Sequence, residues 1–216
     1  MLSRTPVGAP AGLQPTAPDW SDCAPLLPEL AGQAVTRVDL GVLSKHFEAG
    51  NWEQPGFDQH LLTSQAAPAC SLHGQYRLSQ THIDRPEEPA TCALFVELHV
   101  PNGSPVQAPA AGTWQHRGDG RGCLSTPHWA LWLQGLEDAP ADGQAVEKGQ
   151  PLGSSCGFLS VQVCLDNGTQ PPRFATPDLL ETVIGPAVAP LHAAHLATRG
   201  EPELVVYGER KAKPAV

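Results

Sequence analysis

The sequence predicts a mainly β protein, and three observations support this. Across residues 94–166, short apolar runs alternate with clusters of Pro, Gly and Asn, a pattern typical of short strands joined by turns. Residues 91–100 alternate strictly between two faces, as a strand does. The chain of 216 residues contains 21 glycines and 23 prolines, which favours short strands and turns over long helices.

The clearest predicted strand is residues 91–100. One of its faces carries only apolar side chains, so that face must be buried. The opposite face carries the strand's acid and its histidine, Glu97 and His99, together with Ala93 and Phe95.

The predicted elements after this strand follow in chain order. Residues 101–103 form a Pro-Asn-Gly turn, and the Ala-Pro-Ala-Ala-Gly run at 108–112 predicts a tight corner between two short strands. A Trp-rich strand is expected at 128–133, and a final strand at 158–165. Between those two strands, the pairs Asp-Gly and Lys-Gly at 142–143 and 148–149 predict two turns.

The flanks are less regular, and we divide the chain into four parts. Residues 1–18 are a Pro-rich leader expected to be disordered, and residues 19–69 an irregular α/β lead-in. The β domain spans residues 70–166, with an edge strand expected at 72–78. Residues 167–216 are an extension with a short helix after Asp178 and a charged tail.

Composition excludes several classes of function. The formal net charge of −9 argues against nucleic-acid binding, which needs a basic surface. No apolar run approaches the ~20 residues of a membrane span, and the N-terminus lacks the apolar core of a secretory signal. We therefore expect a cytoplasmic protein without a membrane partner, whose six cysteines are reduced thiols.

Three segments together resemble the M23 metallopeptidases of the lysostaphin type. Residues 100–113, VPNGSPVQAPAAGT, are similar to the family pattern V-P-x-G-T-P-V-x-A-P-x-x-G-T. Residues 142–153, DGQAVEKGQPLG, resemble V-G-Q-x-V-x-K-G-Q-x-I-G, and residues 159–163, LSVQV, stand where the closing L-H-F-Q-L strand would lie. The resemblance extends to the M23-like domains fused to class III aminotransferases. It implies a duplicated-hybrid-motif β-sandwich or barrel-like domain with irregular flanks and short helices.

The resemblance also implies a zinc site, and this sequence departs from it. In the family, a His and an Asp on one strand face and the second His of a His-x-His bind zinc, which activates a water molecule. Those positions fall here on Ala93, Glu97 and Ser160, and the assisting His falls near Gln134 or Gly135. One carboxylate cannot hold a catalytic zinc, so we expect no zinc cofactor and no catalytic residue.

Other chemistry has weaker support in the sequence. A displaced metal site could use Glu97, His99, His116 and His128, and His192 and His195 could share a metal on one helix face. The thiols of Cys92, Cys123 and Cys164 lack the setting of a catalytic nucleophile. Residues 118–122 are Gly-rich without the Lys-Ser/Thr of a phosphate loop, so we expect a flexible loop there.

The expected function is binding by a catalytically inert M23-like domain, with a protein or a larger assembly as the partner. Its anchor candidates are Phe95, Trp129, Trp132 and Phe158, for which packing in the core is the alternative. Two other functions remain open. One is an active zinc metallohydrolase with displaced ligands, and the other is an accessory domain of a synthase or aminotransferase.

Overall fold

The computed structural model describes residues 22–41, 44, 46, 51–81, 89–165, 170–177 and 197–198. Several predictions lie outside these residues: the leader, the helix after Asp178 with His192 and His195, and the tail.

The described structure is mainly β, as predicted. Twelve strands are found among the described residues: β1 Ala34–Arg37, β2 Ala69–Cys70, β3 Cys92–Ala93, β4 Val96–His99, β5 Pro105–Gln107, β6 Gly112–His116, β7 Arg121–Ser125, β8 Ala130–Glu137, β9 Ala145–Val146, β10 Pro151–Cys164, β11 Phe174–Ala175 and β12 Ala197–Thr198. One α-helix is described, α1 Phe57–Thr63, with 3-10 turns at Pro28–Leu30, Asn51–Glu53 and Leu78–Gln80. None of these helices is long and apolar enough to cross a membrane.

The strands build one large mixed sheet. Its order is β12-β1-β2-β4-β10-β8-β7-β6-β9, and β5 also pairs with β10. Strand β1 runs parallel to β2 and β12, while the central pairs from β2 to β9 are antiparallel. The sheet is consistent with a barrel-like arrangement, but its two end strands, β12 and β9, are not paired with each other. Strands β3 and β11 form a separate antiparallel pair.

The main core lies against one face of the large sheet. Its buried side chains come from the lead-in as well as from the central strands, and include Leu26, Leu27, Leu30, Val35, Val96, Leu98, Trp114, Leu124, Leu131, Leu133, Leu152, Leu159 and Val161. A second cluster, within the lead-in, joins α1 to β2 and to the segment after β1 through Val38, Leu40, Leu62 and Ala69. The lead-in therefore packs as part of the folded unit, because it fills the core and adds β1 and β2 to the sheet.

Several local predictions are confirmed. The Ala-Pro-Ala-Ala-Gly corner separates β5 from β6, and the turns at 142–143 and 148–149 flank β9. The final strand begins earlier than expected, because β10 runs from Pro151 to Cys164 with an irregular register between Ser155 and Ser160.

Two local predictions are wrong, and a third is right only in part. The expected strand at 91–100 divides into β3 and β4 because its two parts have different partners: β3 pairs with β11 and β4 pairs with β10. The segment at 72–78 makes only one β-bridge, from Tyr76 to Cys92, since Gly74 has a φ of 73° that interrupts an extended run. The loop expected at 118–122 is a turn only over residues 118–120, because strand β7 begins at Arg121.

Candidate functional site

A row of polar side chains crosses the face of the sheet opposite the main core. Ser160 on β10 is paired with Glu97 on β4 and with Gln134 on β8, and Gln134 is paired with Arg121 on β7. Directly paired residues of neighbouring strands point to the same side. Glu97, Ser160, Gln134 and Arg121 therefore form one line, which we call the polar row.

Arg77 closes one end of the polar row. Its side chain is 1% exposed and lies between two carboxylates, with Nη1 3.4 Å from Asp58 Oδ2 and Nη2 3.3 Å from Glu97 Oε2. Asp58 is on α1, and its Oδ2 also accepts a hydrogen bond of 2.7 Å from the hydroxyl of Ser79. Helix α1 and the segment after β2 thus bring a buried cation to the carboxylate of β4.

Arg173 spans the middle of the polar row. It lies just before β11, and its Nη1 donates a hydrogen bond of 2.9 Å to Gln134 Oε1. Its Nη2 donates to Ser160 Oγ at 3.3 Å and lies 4.0 Å from Glu97 Oε1. The guanidinium carbon is 3.9 Å from the centre of the Phe95 ring, within cation–π range. One side chain therefore contacts three members of the row.

The charges in this cluster oppose the cost of burial. Burial raises the pKa of the Glu97 carboxyl above its ordinary value, and the positive charges of Arg77 and Arg173 act in the opposite direction. Burial lowers the pKa of Arg173, and Glu97 opposes that shift. Removing one member of a buried ion pair leaves the other charge uncompensated. Loss of either arginine or of Glu97 should therefore destabilise the folded chain.

The residues at the positions that the resemblance assigns to zinc do not fit that metal. Ala93 is fully buried and its side chain offers no donor atom. Both oxygens of Glu97 face guanidinium groups, and the Ser160 hydroxyl accepts a hydrogen bond from Arg173. Zinc requires about three protein ligands at roughly 2.0–2.3 Å. Two fixed cations beside the single carboxylate would repel the ion.

The four candidates for a displaced metal site are spread over the fold. His99 shares a strand face with Glu97, and its Nδ1 is buried without a partner. His116, exposed at the end of β6, bonds through Nε2 to the carbonyl of Pro140 at 2.7 Å. His128 is exposed in the turn before β8. No group of three or more His, Cys, Asp or Glu side chains suited to a metal occurs in the described part of the chain.

The four aromatic anchor candidates differ in exposure. Phe95, Trp129 and Trp132 are buried, at 3%, 5% and 3% exposed. Phe95 also contacts Phe174 edge-to-face, with the ring centres 5.3 Å apart. Phe158 is partly buried against the cluster around α1, so it presents more surface than the other three. Their role in partner binding stays a prediction.

Sequence reasoning missed the two arginines and the aspartate of the cluster. Arg77 and Arg173 lie outside the large sheet, and Asp58 is on the helix that was not predicted. One feature of the sequence could have predicted an arginine or lysine here. Glu97 is on the same strand face as the apolar Phe95, and a carboxylate that is half-buried beside an aromatic ring needs a cation.

Comparisons with known proteins concern the fold. No protein-family model and no curated protein matches the chain. It is similar to the solved catalytic domain of the antimicrobial peptidase lysostaphin from Staphylococcus simulans, at 20% identity and a TM-score of 0.37, over 51% of this chain and 89% of that one. It is also similar to the structure of LytU, at 16% identity and a TM-score of 0.33, over 52% of this chain and 84% of that one.

A third similar structure is a catalytic-domain mutant of the prophage-encoded M23 protein EnpA from Enterococcus faecalis. It has 16% identity and a TM-score of 0.32, over 44% of this chain and 83% of that one. The match spans 44% of the lysostaphin solution structure. The identities are 20% or less and the TM-scores are below 0.5, so these structures are no more than similar to this chain and say nothing of its activity.

Proposed function

We propose that the chain is a non-catalytic M23-like domain that acts as a binding or accessory module. The observation that carries this proposal is the position of Arg173. Its guanidinium contacts Gln134, Ser160 and Glu97, which stand at or beside three positions that the resemblance assigns to catalysis.

Arg77 and Arg173 can supply the positive charge that a zinc ion would bring to this face of the sheet. A zinc ion would bring a formal charge of +2 to this face, and Arg77 and Arg173 together bring the same charge. The guanidinium groups are covalently part of the chain, so the charge is present without any ligand set. In this proposal the face that carries the polar row stabilises the fold, and it lacks the set of ligand atoms that a catalytic zinc needs.

Metal analysis tests the proposal. Protein purified without chelator should contain far less than one zinc per chain, and its thermal midpoint should not change with EDTA or with added zinc. Peptide hydrolysis should be absent in both conditions. One tightly bound zinc per chain, lost together with a peptidase activity in Glu97→Ala or His99→Ala, would establish the metallohydrolase alternative.

The proposed partner is a protein, because the net charge of −9 disfavours nucleic acid. A tagged chain expressed in its native host should elute with a partner in near-stoichiometric yield and in the cytoplasmic fraction. Phe158→Glu should reduce that yield, while Pro127→Ser, at an exposed turn, should not. Elution of the tagged chain alone would contradict the proposal. A partner with synthase or aminotransferase activity would specify the accessory role.

A further inference from the structure

Two arginines cover one tryptophan at the end of the β6–β7 hairpin. The backbone N–H of Arg117 donates to the carbonyl of Arg121 at 2.8 Å, so the two residues oppose each other across the hairpin. Their guanidinium carbons lie 5.3 and 5.2 Å from the centre of the Trp132 ring. Both distances are within cation–π range.

The positive charge of this pair is only partly neutralised. Arg121 Nε donates to Asp119 Oδ2 at 2.5 Å, and Asp119 also accepts from the backbone of Arg121 at 3.2 Å and from Gln170 at 3.1 Å. Arg117, by contrast, hydrogen-bonds the neutral amide of Gln115. Two guanidinium groups thus face one carboxylate at the hairpin end.

Three N–H groups of this cluster are buried without an acceptor among the described residues. They are Arg117 Nε, Arg121 Nη1 and Trp132 Nε1. Arg121 and Trp132 are 7% and 3% exposed as residues. Each group can only donate, and a buried donor without a partner costs about 1–3 kcal/mol. The three groups belong to the Trp132 ring and to the two guanidinium groups that lie over it, so the donors without an acceptor are gathered in one cluster.

We propose that this cluster, Arg117, Arg121 and Trp132, is a binding site for an oxyanion of the phosphate or carboxylate type. Such a group offers several acceptor atoms and a negative charge, which match the donors and the excess guanidinium. Arg121 is also a member of the polar row through its pairing with Gln134. None of the three donors contacts Glu97 or Ser160 among the described residues, so anion binding can be tested separately from the function proposed above. The carboxylate of Asp119 would compete with a bound anion, because it already accepts a hydrogen bond from Arg121.

Calorimetry with simple anions tests the site. The full chain should bind sodium phosphate with a measurable Kd at pH 7.5, against sodium chloride at matched ionic strength as the reference. Sodium acetate is titrated in parallel, because binding of acetate and not of phosphate would assign a carboxylate ligand. Heat and thermal midpoint indistinguishable from the chloride reference for both anions would overturn the proposal.

Three variants make the test specific. Arg117→Met should weaken anion binding roughly tenfold or more, the effect of one lost charged hydrogen bond. Asp119→Asn should strengthen binding, because it removes the competing carboxylate; this variant keeps the test decisive if Arg117→Met is poorly folded. Lys148→Met, which removes an equal charge from an exposed turn, should bind as the unmodified chain does. If Lys148→Met weakened anion binding as much as Arg117→Met does, the anion would be responding to the net charge of the chain, and the proposed site would be refuted.

Discussion

Arg77 is the residue on which the buried ion cluster depends. It is 1% exposed and carries hydrogen bonds to two carboxylates from different elements, Asp58 and Glu97. Arg77→Met keeps much of the side-chain volume but leaves both carboxylates without this cation. We expect a loss of about 3–5 kcal/mol in the free energy of unfolding, measured by urea titration at pH 7.

Two further variants show that this loss comes from unpaired charge. Glu97→Gln in the Arg77→Met background should recover part of the stability, because it removes one of the stranded carboxylates. Lys148→Met should change the free energy of unfolding by less than about 0.5 kcal/mol. An Arg77→Met chain as stable as the unmodified one would mean that the ion pairs contribute nothing net.

His73 makes the stability depend on pH in the acidic range. Burial lowers its pKa from 6.5 to about 4, although a hydrogen bond with the backbone of Leu94 opposes the shift. The unfolded chain therefore binds a proton more readily than the folded chain between these two values. Stability from this group is complete above pH 6.5 and is lost as the pH falls toward 4. The full difference is at most about 3 kcal/mol.

The measurement is the free energy of unfolding at a series of pH values from 7 to 4. His73→Leu should flatten the slope in the window from pH 6.5 to 4, because no proton can then bind at this position. His116→Leu is the matched substitution at an exposed imidazole, and the slope of His73→Leu is compared with it. A slope that persists in His73→Leu would assign the acid sensitivity to the carboxylates.

At the scale of the element, the β6–β7 hairpin depends on one glycine. A Cβ at Gly122 would come 1.9 Å from the ring of Trp114, which is buried in the main core. Gly122→Ala should therefore cost about 3 kcal/mol or more, as overpacking of a filled core does. Gly118→Ala, with nothing within 4 Å of its Cβ, is the control and should be nearly neutral.

Thermal unfolding followed by circular dichroism separates these two variants. A midpoint for Gly122→Ala within a degree or so of the Gly118→Ala control would contradict the steric account, and would mean that Trp114 can change rotamer at little cost.

The same hairpin shows which elements the sequence could predict. The corner before β6 and the turns around β9 carry local signals, namely Pro, Gly and Asp at turn positions. Strand β7 carries a conflicting signal, because Gly122 weakens β propensity and is needed only for the approach of Trp114. That reason depends on a contact between strands, which no local pattern contains.

At the scale of the whole molecule, the ion cluster was beyond prediction for a related reason. The acceptor Glu97 is 20 residues from Arg77 in sequence, and Ser160 is 13 from Arg173. Arg77 comes before strand β3 and Arg173 follows strand β10, and the two cations meet on one face of the sheet. The sequence showed that the positions which the resemblance assigns to zinc ligands read Ala93 and Ser160, whereas it did not show that Arg173 contacts Ser160.

The dependence of the sheet on its flanks gives a prediction for the truncated chain. Residues 89–165 alone lack Leu26, Leu27 and Leu30 from the main core, together with the arginines that cover the polar row. We expect this fragment to lose cooperative thermal unfolding and to bind a dye for exposed apolar surface, because it uncovers the core on one side and Phe95 on the other. The control is residues 22–216, which lacks only residues outside the described structure and should unfold at the midpoint of the full chain. If fragment 89–165 unfolded cooperatively at that same midpoint, the strands would form an independent domain to whose stability the flanking segments contribute nothing.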